Sequence, residues 1–403
     1  MSEGTKPIAI SKLVTNIKPS ATIAAAAMAR QMKAEGIQVF DFSLGEPDFS
    51  TPEHICKAAF KAMQDGHTHY TSANGIPELR KAIAKMYQRV YGLECGPEQI
   101  VVSNGAKHSL SNALTTVCGP GDEVIIPTPY WVSYGDLVEI AGATFVLVET
   151  TAASGFKMTP AQFRAAITPS TRLMMLNSPG NPSGSVYTRA EQEALADIAL
   201  EADIIVLSDE IYERLVFGNA RATCLATLRP KLAEQTITIS GVSKSYAMTG
   251  WRMGWAIAPL NVAKAMTNLQ SQQTSNPSSI SQYATLAALE GDQESVEKMR
   301  REFEARRDLV CKRLSNMPGI VCPRPDGAFY AFFDVSANFG KTIGGHKVTD
   351  SASFCRAALE SAHVCLVAGS AFGTEGYARL SFATSREQLN GGMDSLEKWL
   401  RSA

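Results

Sequence analysis

The stretch of residues 239–254, ISGVSKSYAMTGWRMG, is preceded and followed by apolar runs that are typical of buried strands. Lys244 is therefore expected in a loop of small residues between two strands. A buried lysine must be paired or lose its charge, and a lysine of lowered basicity can form a Schiff base with a carbonyl. Ser243 and Arg252 could hold a phosphate group beside it. The alternative is an ordinary loop lysine, with Arg252 as a surface ion-pair partner.

The chain has 403 residues, of which 45% are hydrophobic and 19% are charged. This composition predicts a soluble globular protein of two or three domains with a large core. The formal net charge of −1 gives no electrostatic basis for binding nucleic acid or an anionic membrane. No apolar run approaches the length of a membrane span, and no signal peptide is visible. We therefore expect no nucleic-acid or membrane partner.

The eight cysteines are scattered without a Cys-x-x-Cys pair, which argues against a zinc site and against a disulfide framework. His67 and His69 form a His-x-His pair with no further ligands in pattern, so no metal site is expected. The cysteine usage suits a reducing compartment, and we expect a cytoplasmic location. Whether a transit segment is cleaved from the N-terminus stays open.

Strands and helices alternate along the middle of the chain. The predicted strands cover residues 99–103, 123–127, 144–148, 172–177 and 204–208, and the predicted helices cover 108–117, 132–141 and 188–201. This alternation indicates an α/β architecture with a mostly parallel, buried sheet flanked by helices. Ligands of such sheets bind beyond the carboxyl ends of the strands.

The C-terminal part is predicted to form a smaller α+β domain. Its predicted elements are a charged helix over 294–316, two strand-like runs within 319–335, strands over 364–367 and 377–383, and helices over 350–362 and 387–402. At the other end of the chain, residues 1–20 are expected to be irregular, followed by a helix over 22–35 and a strand over 39–44.

Two strand ends in the middle of the chain carry candidate ligand-binding residues. Gly105, Ala106 and Lys107 begin a helix, where free backbone amides can bind phosphate, although an ordinary turn would look the same. Asp209 ends an apolar strand, and a carboxylate there needs a partner. A helix N-cap is the alternative role for Asp209.

Three further residues stand out along the chain. Trp131 follows another strand, where an aromatic residue more often belongs to the core. Asn181 lies in a loop rich in proline and glycine that could be a turn and nothing more. Arg379 lies within a short strand, either as a salt-bridge partner or as a fork that grips a carboxylate with two hydrogen bonds.

The residues around Lys244 resemble the pyridoxal-phosphate lysine signature of the class I and II aminotransferases. That signature has Gly or Ser three positions before the lysine, a small residue one position before it, and Gly-x-Arg six to eight positions after it, and this chain fills every position. The resemblance runs from about residue 7 to the C-terminus. It implies fold type I of the pyridoxal-phosphate enzymes, with a large cofactor domain over residues 51–295 and a small domain made of residues 1–50 and 296–403.

The resemblance also implies a role for each candidate residue. Lys244 would carry pyridoxal 5'-phosphate as a Schiff base and act as general base, and Asp209 and Tyr212 would complete the catalytic set. Near the cofactor would lie Gly105, Ala106, Lys107, Ser243 and Arg252. Trp131 would stack on the cofactor ring and contact the substrate, and Asn181 would form hydrogen bonds with the ring oxygen and with the substrate. Gly45 and Arg379 would bind the substrate carboxylate. Tyr70 would reach the phosphate of a neighbouring subunit, which implies a homodimer with shared active sites.

The subgroup that this chain resembles most moves the amino group of L-aspartate to 2-oxoglutarate, forming oxaloacetate and L-glutamate. Lys107 could pair with the distal carboxylate of such substrates, or it could be a solvated lysine. Some members also accept prephenate, but they tend to carry an arginine where Lys12 aligns, which puts that activity in doubt. Prephenate, alanine, aromatic or kynurenine-type aminotransferases, a lyase or cyclase using the same cofactor, and a non-catalytic cofactor-binding regulator stay as alternatives.

Overall fold

The computed structural model describes residues 8–17, 19 and 21–402, so residues 1–7 at the start of the predicted small domain lie outside the described residues. The helices are α1 (Lys12–Asn16), α2 (Ala21–Ala34), α3 (Glu53–Gln64), α4 (Pro77–Tyr91), α5 (Ala106–Val117), α6 (Ser133–Ile140), α7 (Pro160–Ala166), α8 (Arg189–Glu201), α9 (Leu260–Gln273), α10 (Ser279–Glu290), α11 (Glu294–Leu314), α12 (Ser351–Ala362) and α13 (Arg386–Leu400). The strands are β1 (Phe40–Asp41), β2 (Ile100–Ser103), β3 (Glu123–Pro127), β4 (Thr144–Val148), β5 (Thr171–Asn177), β6 (Ile205–Asp209), β7 (Thr236–Gly241), β8 (Gly254–Ile257), β9 (Tyr330–Asp334), β10 (Thr342–Ile343), β11 (His346–Lys347), β12 (Val364–Cys365), β13 (Val367–Ala368) and β14 (Tyr377–Ser381).

A seven-stranded sheet forms the centre of the fold, with the order β2-β8-β7-β6-β5-β3-β4. Within the group β3 to β7, every pair of neighbouring strands is parallel. Strand β8 is antiparallel to both of its neighbours, β2 and β7. Helices α5, α6 and α9 cover one face, and α7 and α8 cover the other. Because both faces are covered, the strands are apolar runs rather than alternating ones. The predicted mostly parallel, helix-flanked sheet is confirmed.

A second layer of structure comes from the C-terminal part of the chain. Strands β13, β14 and β9 form an antiparallel sheet in that order, and α11, α12 and α13 pack with it in one large aromatic and aliphatic core. The N-terminal segment joins this part because β1 pairs in parallel with β12. The exact domain boundaries, 51–295 against 1–50 and 296–403, stay a prediction.

Several short elements differ from the sequence prediction. The segment 1–20 contains a short helix, α1, which Ser11 caps through its side chain. The predicted strand 39–44 is reduced to two residues, because its only partner, β12, is equally short. Only the second of the two runs within 319–335 is a strand, whereas Val321 makes a single bridge to Asp334. The predicted strand 364–367 is divided, since Val364 pairs with β1 and β13 pairs with β14.

In the part of the chain that the structure describes, no helix is both long and apolar enough to cross a membrane. Within the same residues, His, Cys, Asp and Glu side chains form no group of three that could hold a metal ion.

Gly254, the first residue of β8, lies where the sheet meets the start of α5. A Cβ atom at Gly254 would overlap the backbone of Gly105 and Ala106. We expect Gly254→Ala to lower the free energy of unfolding by about 1–3 kcal/mol, because overpacking must displace backbone rather than a flexible side chain. Urea-induced unfolding followed by tryptophan fluorescence measures this difference.

Gly250→Ala provides the matched control, since nothing lies within 4 Å of its added Cβ atom. Equal stabilities of the two variants would contradict this account of the junction between β8 and α5.

Candidate active site

One cavity of about 350 Å³ opens at the carboxyl ends of β5, β6 and β7. It is bounded by the large sheet, by the helix α2 and by strands of the C-terminal part. The residues that line it are Thr22, Ile23, Gly45, Ala106, Lys107, Leu110, Trp131, Ser133, Tyr134, Asn177, Asn181, Asp209, Ile211, Tyr212, Ser243, Lys244, Thr249, Arg252, Tyr330 and Arg379. The position agrees with the general rule for ligands of parallel sheets.

Lys244 extends into this cavity from the loop that follows β7. Its Nζ donates a hydrogen bond to the backbone carbonyl of Gly45, which comes from the N-terminal segment. Burial lowers the pKa of Lys244 to about 8, the negative charge of Glu46 opposes this change, and the positive charge of Arg252 adds to it. A large fraction of the Lys244 side chain is therefore neutral near pH 8, as a nucleophile or proton acceptor requires.

Asp209 is the last residue of β6 and is buried at 5% exposure. Its carboxylate accepts hydrogen bonds from the Tyr134 hydroxyl at 2.6 Å and from the Ile211 backbone N–H at 3.2 Å. Burial raises the pKa of Asp209 to about 6, and these hydrogen bonds limit the rise. The carboxylate is oriented by neutral donors, which leaves it able to bind a cation from within the cavity.

Arg379, in β14, is almost completely buried at 2% exposure. Its guanidinium donates to Asn181 Oδ1 at 3.0 Å and to the Ser43 carbonyl at 2.6 Å, and its Nε has no partner. The group lies 4.5 Å from the ring centroid of Tyr330, whose hydroxyl is 2.8 Å from that of Tyr212. Burial lowers the pKa of Arg379. A buried guanidinium without a carboxylate partner is suited to binding one from a ligand.

The turn between β2 and α5 lies against Arg252. Gly105 has a φ of 90°, and a Cβ atom there would overlap the Arg252 guanidinium. That guanidinium donates to the carbonyls of Thr249 and Asn104. The free amides at the start of α5 and the Arg252 charge therefore lie side by side, an arrangement that favours an anion.

Lys107 lies at the mouth of the cavity. Its Nζ is 4.8 Å from the ring centroid of Trp131, and this ring in turn meets Tyr134 edge to face. Partial burial of the ammonium group and the charge of Arg252 lower the pKa of Lys107, while Asp136 opposes them.

Most of the residues that the sequence singled out line this one cavity. Gly105 lies next to it through its contact with Arg252. Tyr70 does not line it and is 89% exposed on the surface of the chain.

Sequence reasoning missed several lining residues, among them Tyr134, Tyr330, Thr22 and Ile23. The position of Tyr134, three residues after Trp131 at the start of a helix, is the one local signal that could have identified it. The other three residues come from distant segments and carry no local signal.

The aminotransferase class I and II family model matches residues 37–396, and the chain therefore belongs to this family of enzymes. It is 45% identical to the aspartate aminotransferase of Geobacillus stearothermophilus over 393 residues, 98% of this chain and 99% of that one. It is 47% identical to the aspartate/prephenate aminotransferase of Cereibacter sphaeroides over 382 residues, 94% and 96% of the two chains. The crystal structure of the aspartate aminotransferase from Rhizobium meliloti aligns with a TM-score of 0.95 at 43% identity, covering 99% of this chain and 100% of that chain. The predicted family and fold class are confirmed.

The buried amine of Lys244 should reduce the stability of the cofactor-free protein. The pKa of Lys244 is about 8 in the folded state, below the ordinary value of 10.5, so the folded state disfavours the charged form. The resulting loss of folding free energy has its full value below pH 8. We expect Lys244→Met to raise the free energy of unfolding at pH 7 by about 2 kcal/mol. The advantage over the natural protein should shrink as the pH rises from 8 to 10.5.

Urea titrations of both proteins at several pH values measure the difference, and other titrating groups cancel because they are common to both. A difference that stays constant across this pH range would contradict the assignment of the lowered pKa to Lys244.

Proposed function

We propose that this aminotransferase moves the amino group of L-aspartate to 2-oxoglutarate, forming oxaloacetate and L-glutamate. The observation that carries the proposal is that Lys107 and Arg379 line the same cavity as Lys244, so that two cations are available to a substrate with two carboxylates. The relatives named as aspartate aminotransferases support the same substrate class.

We infer that the cofactor is pyridoxal 5'-phosphate, because the residues of the cavity fit each of its parts. The buried Asp209 carboxylate, with neutral donors around it, suits the protonated ring nitrogen. The start of α5 with Ala106, Ser243 and Arg252 suits the phosphate. Asn181, Tyr212 and Trp131 line the same cavity, where the first two would donate to the ring oxygen and Trp131 would lie against the ring face. When bound, the cofactor supplies a carbonyl carbon for the Lys244 amine and a ring that accepts the electron pair of the substrate.

The chain's own residues then have separate tasks. Lys244 is neutral in part because of its lowered pKa. Its amine would accept the proton from the substrate α-carbon and would then donate that proton as the amino group is transferred. Arg379 holds the α-carboxylate and is itself oriented by Asn181. Tyr212, through its hydrogen bond to Tyr330, keeps its hydroxyl directed into the cavity. Asp209 stays ionised above pH 6 and therefore stabilises positive charge on a bound ring.

Prephenate is the second candidate substrate, since a close relative is named as an aspartate/prephenate aminotransferase. Lys12 lies on α1 with an exposed side chain. A lysine there cannot make the two-bond grip of an arginine, so we place prephenate behind aspartate. Alanine and aromatic amino acids lack a distal carboxylate for Lys107, and they are placed behind as well.

We also propose a cytoplasmic homodimer with shared active sites. The N-terminal segment exposes several apolar side chains, among them Ile8, Ile10 and Ile23. An interface with a second copy of the chain would bury them. Tyr70 is fully available to a neighbour, in keeping with the role that the family resemblance gives to it.

Lys244→Ala tests the assignment of the cofactor. We expect the variant to fold and to lose the visible absorption band of a lysine-bound cofactor, and turnover should fall by about 10⁴-fold or more because the anchor and the base are removed together. Absorption spectra and a coupled assay for oxaloacetate measure both effects.

Lys398→Ala, at an exposed lysine on α13, is the control and should keep the band and the activity. Normal turnover of Lys244→Ala would refute the proposed function.

Lys107→Gln tests the substrate class. The loss of a charge-assisted contact with the distal carboxylate should raise KM for aspartate and for 2-oxoglutarate by about 10–100-fold. The KM for alanine as a slow donor should stay the same, because alanine has no distal carboxylate. If the KM for alanine rises by the same factor as the KM for aspartate, Lys107 acts on the cofactor instead of the substrate.

A further inference from the structure

Two cysteines outside the active site lie next to each other. Cys311 is in the last turns of α11, and Cys322 follows on the segment that leads to β9. Their Sγ atoms are 4.0 Å apart, and the Cys322 thiol points at the sulfur of Cys311. Both are free thiols in this structure. The two sulfurs therefore need to move by only about 2 Å to reach the length of a disulfide bond.

Two arginines lie beside this pair. Arg307, one helical turn before Cys311, and Arg324, two residues after Cys322, both form ion pairs with Asp308. The hydrogen bond from Cys322 lowers the pKa of the Cys311 thiol, and the two guanidinium groups lower it further, while burial and the Asp308 carboxylate oppose this change. A thiolate is the reactive form of cysteine, and cationic neighbours are what favour it.

The other cysteines of the chain lack this environment. Burial raises the pKa of Cys95 to about 11 and those of Cys118 and Cys365 to about 12. Cys56 is exposed, and its Sγ donates a hydrogen bond to the backbone carbonyl of Thr51. The lowered pKa of Cys311 therefore comes from its place in the fold rather than from cysteine in general.

We propose that Cys311 and Cys322 form a reversible redox site that a hydroperoxide oxidises to a disulfide. The Cys311 thiolate attacks one oxygen of hydrogen peroxide, the O–O bond breaks, and the released hydroxide takes up the thiol proton as water. The Cys322 sulfur then attacks the resulting sulfenic acid, an S–S bond forms, the S–O bond breaks, and a second water leaves with the Cys322 proton. Two thiols are oxidised by two electrons, and one peroxide is reduced to two waters.

The site is connected to the catalytic cavity through backbone contacts. The segment after Cys322 lies against the loop that carries Asn181, because the backbone N–H groups of Asp326 and Gly327 both donate to the Gly184 carbonyl. Asn181 in turn orients Arg379. A bond between the two cysteines draws this segment toward α11, and we expect KM for the amino-acid substrate to change at least two-fold.

The test is peroxide treatment of the native holoenzyme, followed by alkylation of free thiols, digestion and mass spectrometry. We expect a cross-linked peptide pair that contains residues 311 and 322 and is lighter by two hydrogens than the reduced pair, and dithiothreitol should reverse it. In Cys322→Ser the cross-link disappears, and Cys311 accumulates as a sulfenic acid that dimedone traps.

Cys56→Ser is the matched control, because it removes an exposed thiol with no sulfur neighbour, and it should form the cross-link at the natural rate. The proposal is overturned if Cys311 and Cys322 can still be alkylated after a peroxide dose that oxidises Cys56. It is also overturned if the cross-link forms only after the protein has been unfolded in urea. The link to the active site is overturned if the oxidised natural protein and oxidised Cys322→Ser have the same KM.

Discussion

The burial of the Asp209 carboxylate at the end of a central strand is the constraint on which the site depends. A carboxylate without solvent must be oriented and compensated, and here Tyr134 and the Ile211 backbone orient it while leaving room for a cation. The neighbouring strands place Lys244 and the Asn181 loop around the same space, since β5, β6 and β7 are parallel and end at one edge. Each buried charge in the cavity is therefore held in place before any ligand arrives.

Three buried charges in one cavity have different kinds of support. Asp209 is held by side-chain and backbone donors, Lys244 by a carbonyl of the N-terminal segment, and Arg379 by the Asn181 amide oxygen and by another carbonyl of that same N-terminal segment. None of the three is neutralised by direct contact with another. These uncompensated charges lower the stability of the protein when the site is empty. A ligand with groups of opposite charge would bind to them and compensate them.

The sequence was informative where chemistry followed a continuous apolar run. The residue pattern predicted Asp209 at the end of a buried strand and Lys244 in the loop after another, and the structure has both there. Their predicted roles came from the resemblance to the family, because the pattern alone left a helix N-cap and an ordinary loop lysine open. Tyr330 could not be identified, because it reaches the cavity through pairing of β9 with β14, a contact that no local pattern encodes. The short strand β1 was overestimated for the same reason, since the length of a strand depends on its partner.

The position of β8 sets the order in which the enzyme can be completed. Strand β2 joins the large sheet through β8, which lies between β2 and β7 although β2 is the first strand of this sheet in the chain and β8 is the last. During synthesis on the ribosome, β2 therefore has no partner strand in this sheet until Ile257 has emerged. The stretch with Lys244 and Arg252 emerges just before it, so one strand, β8, joins the turn that follows β2 to the loop that carries the reactive amine.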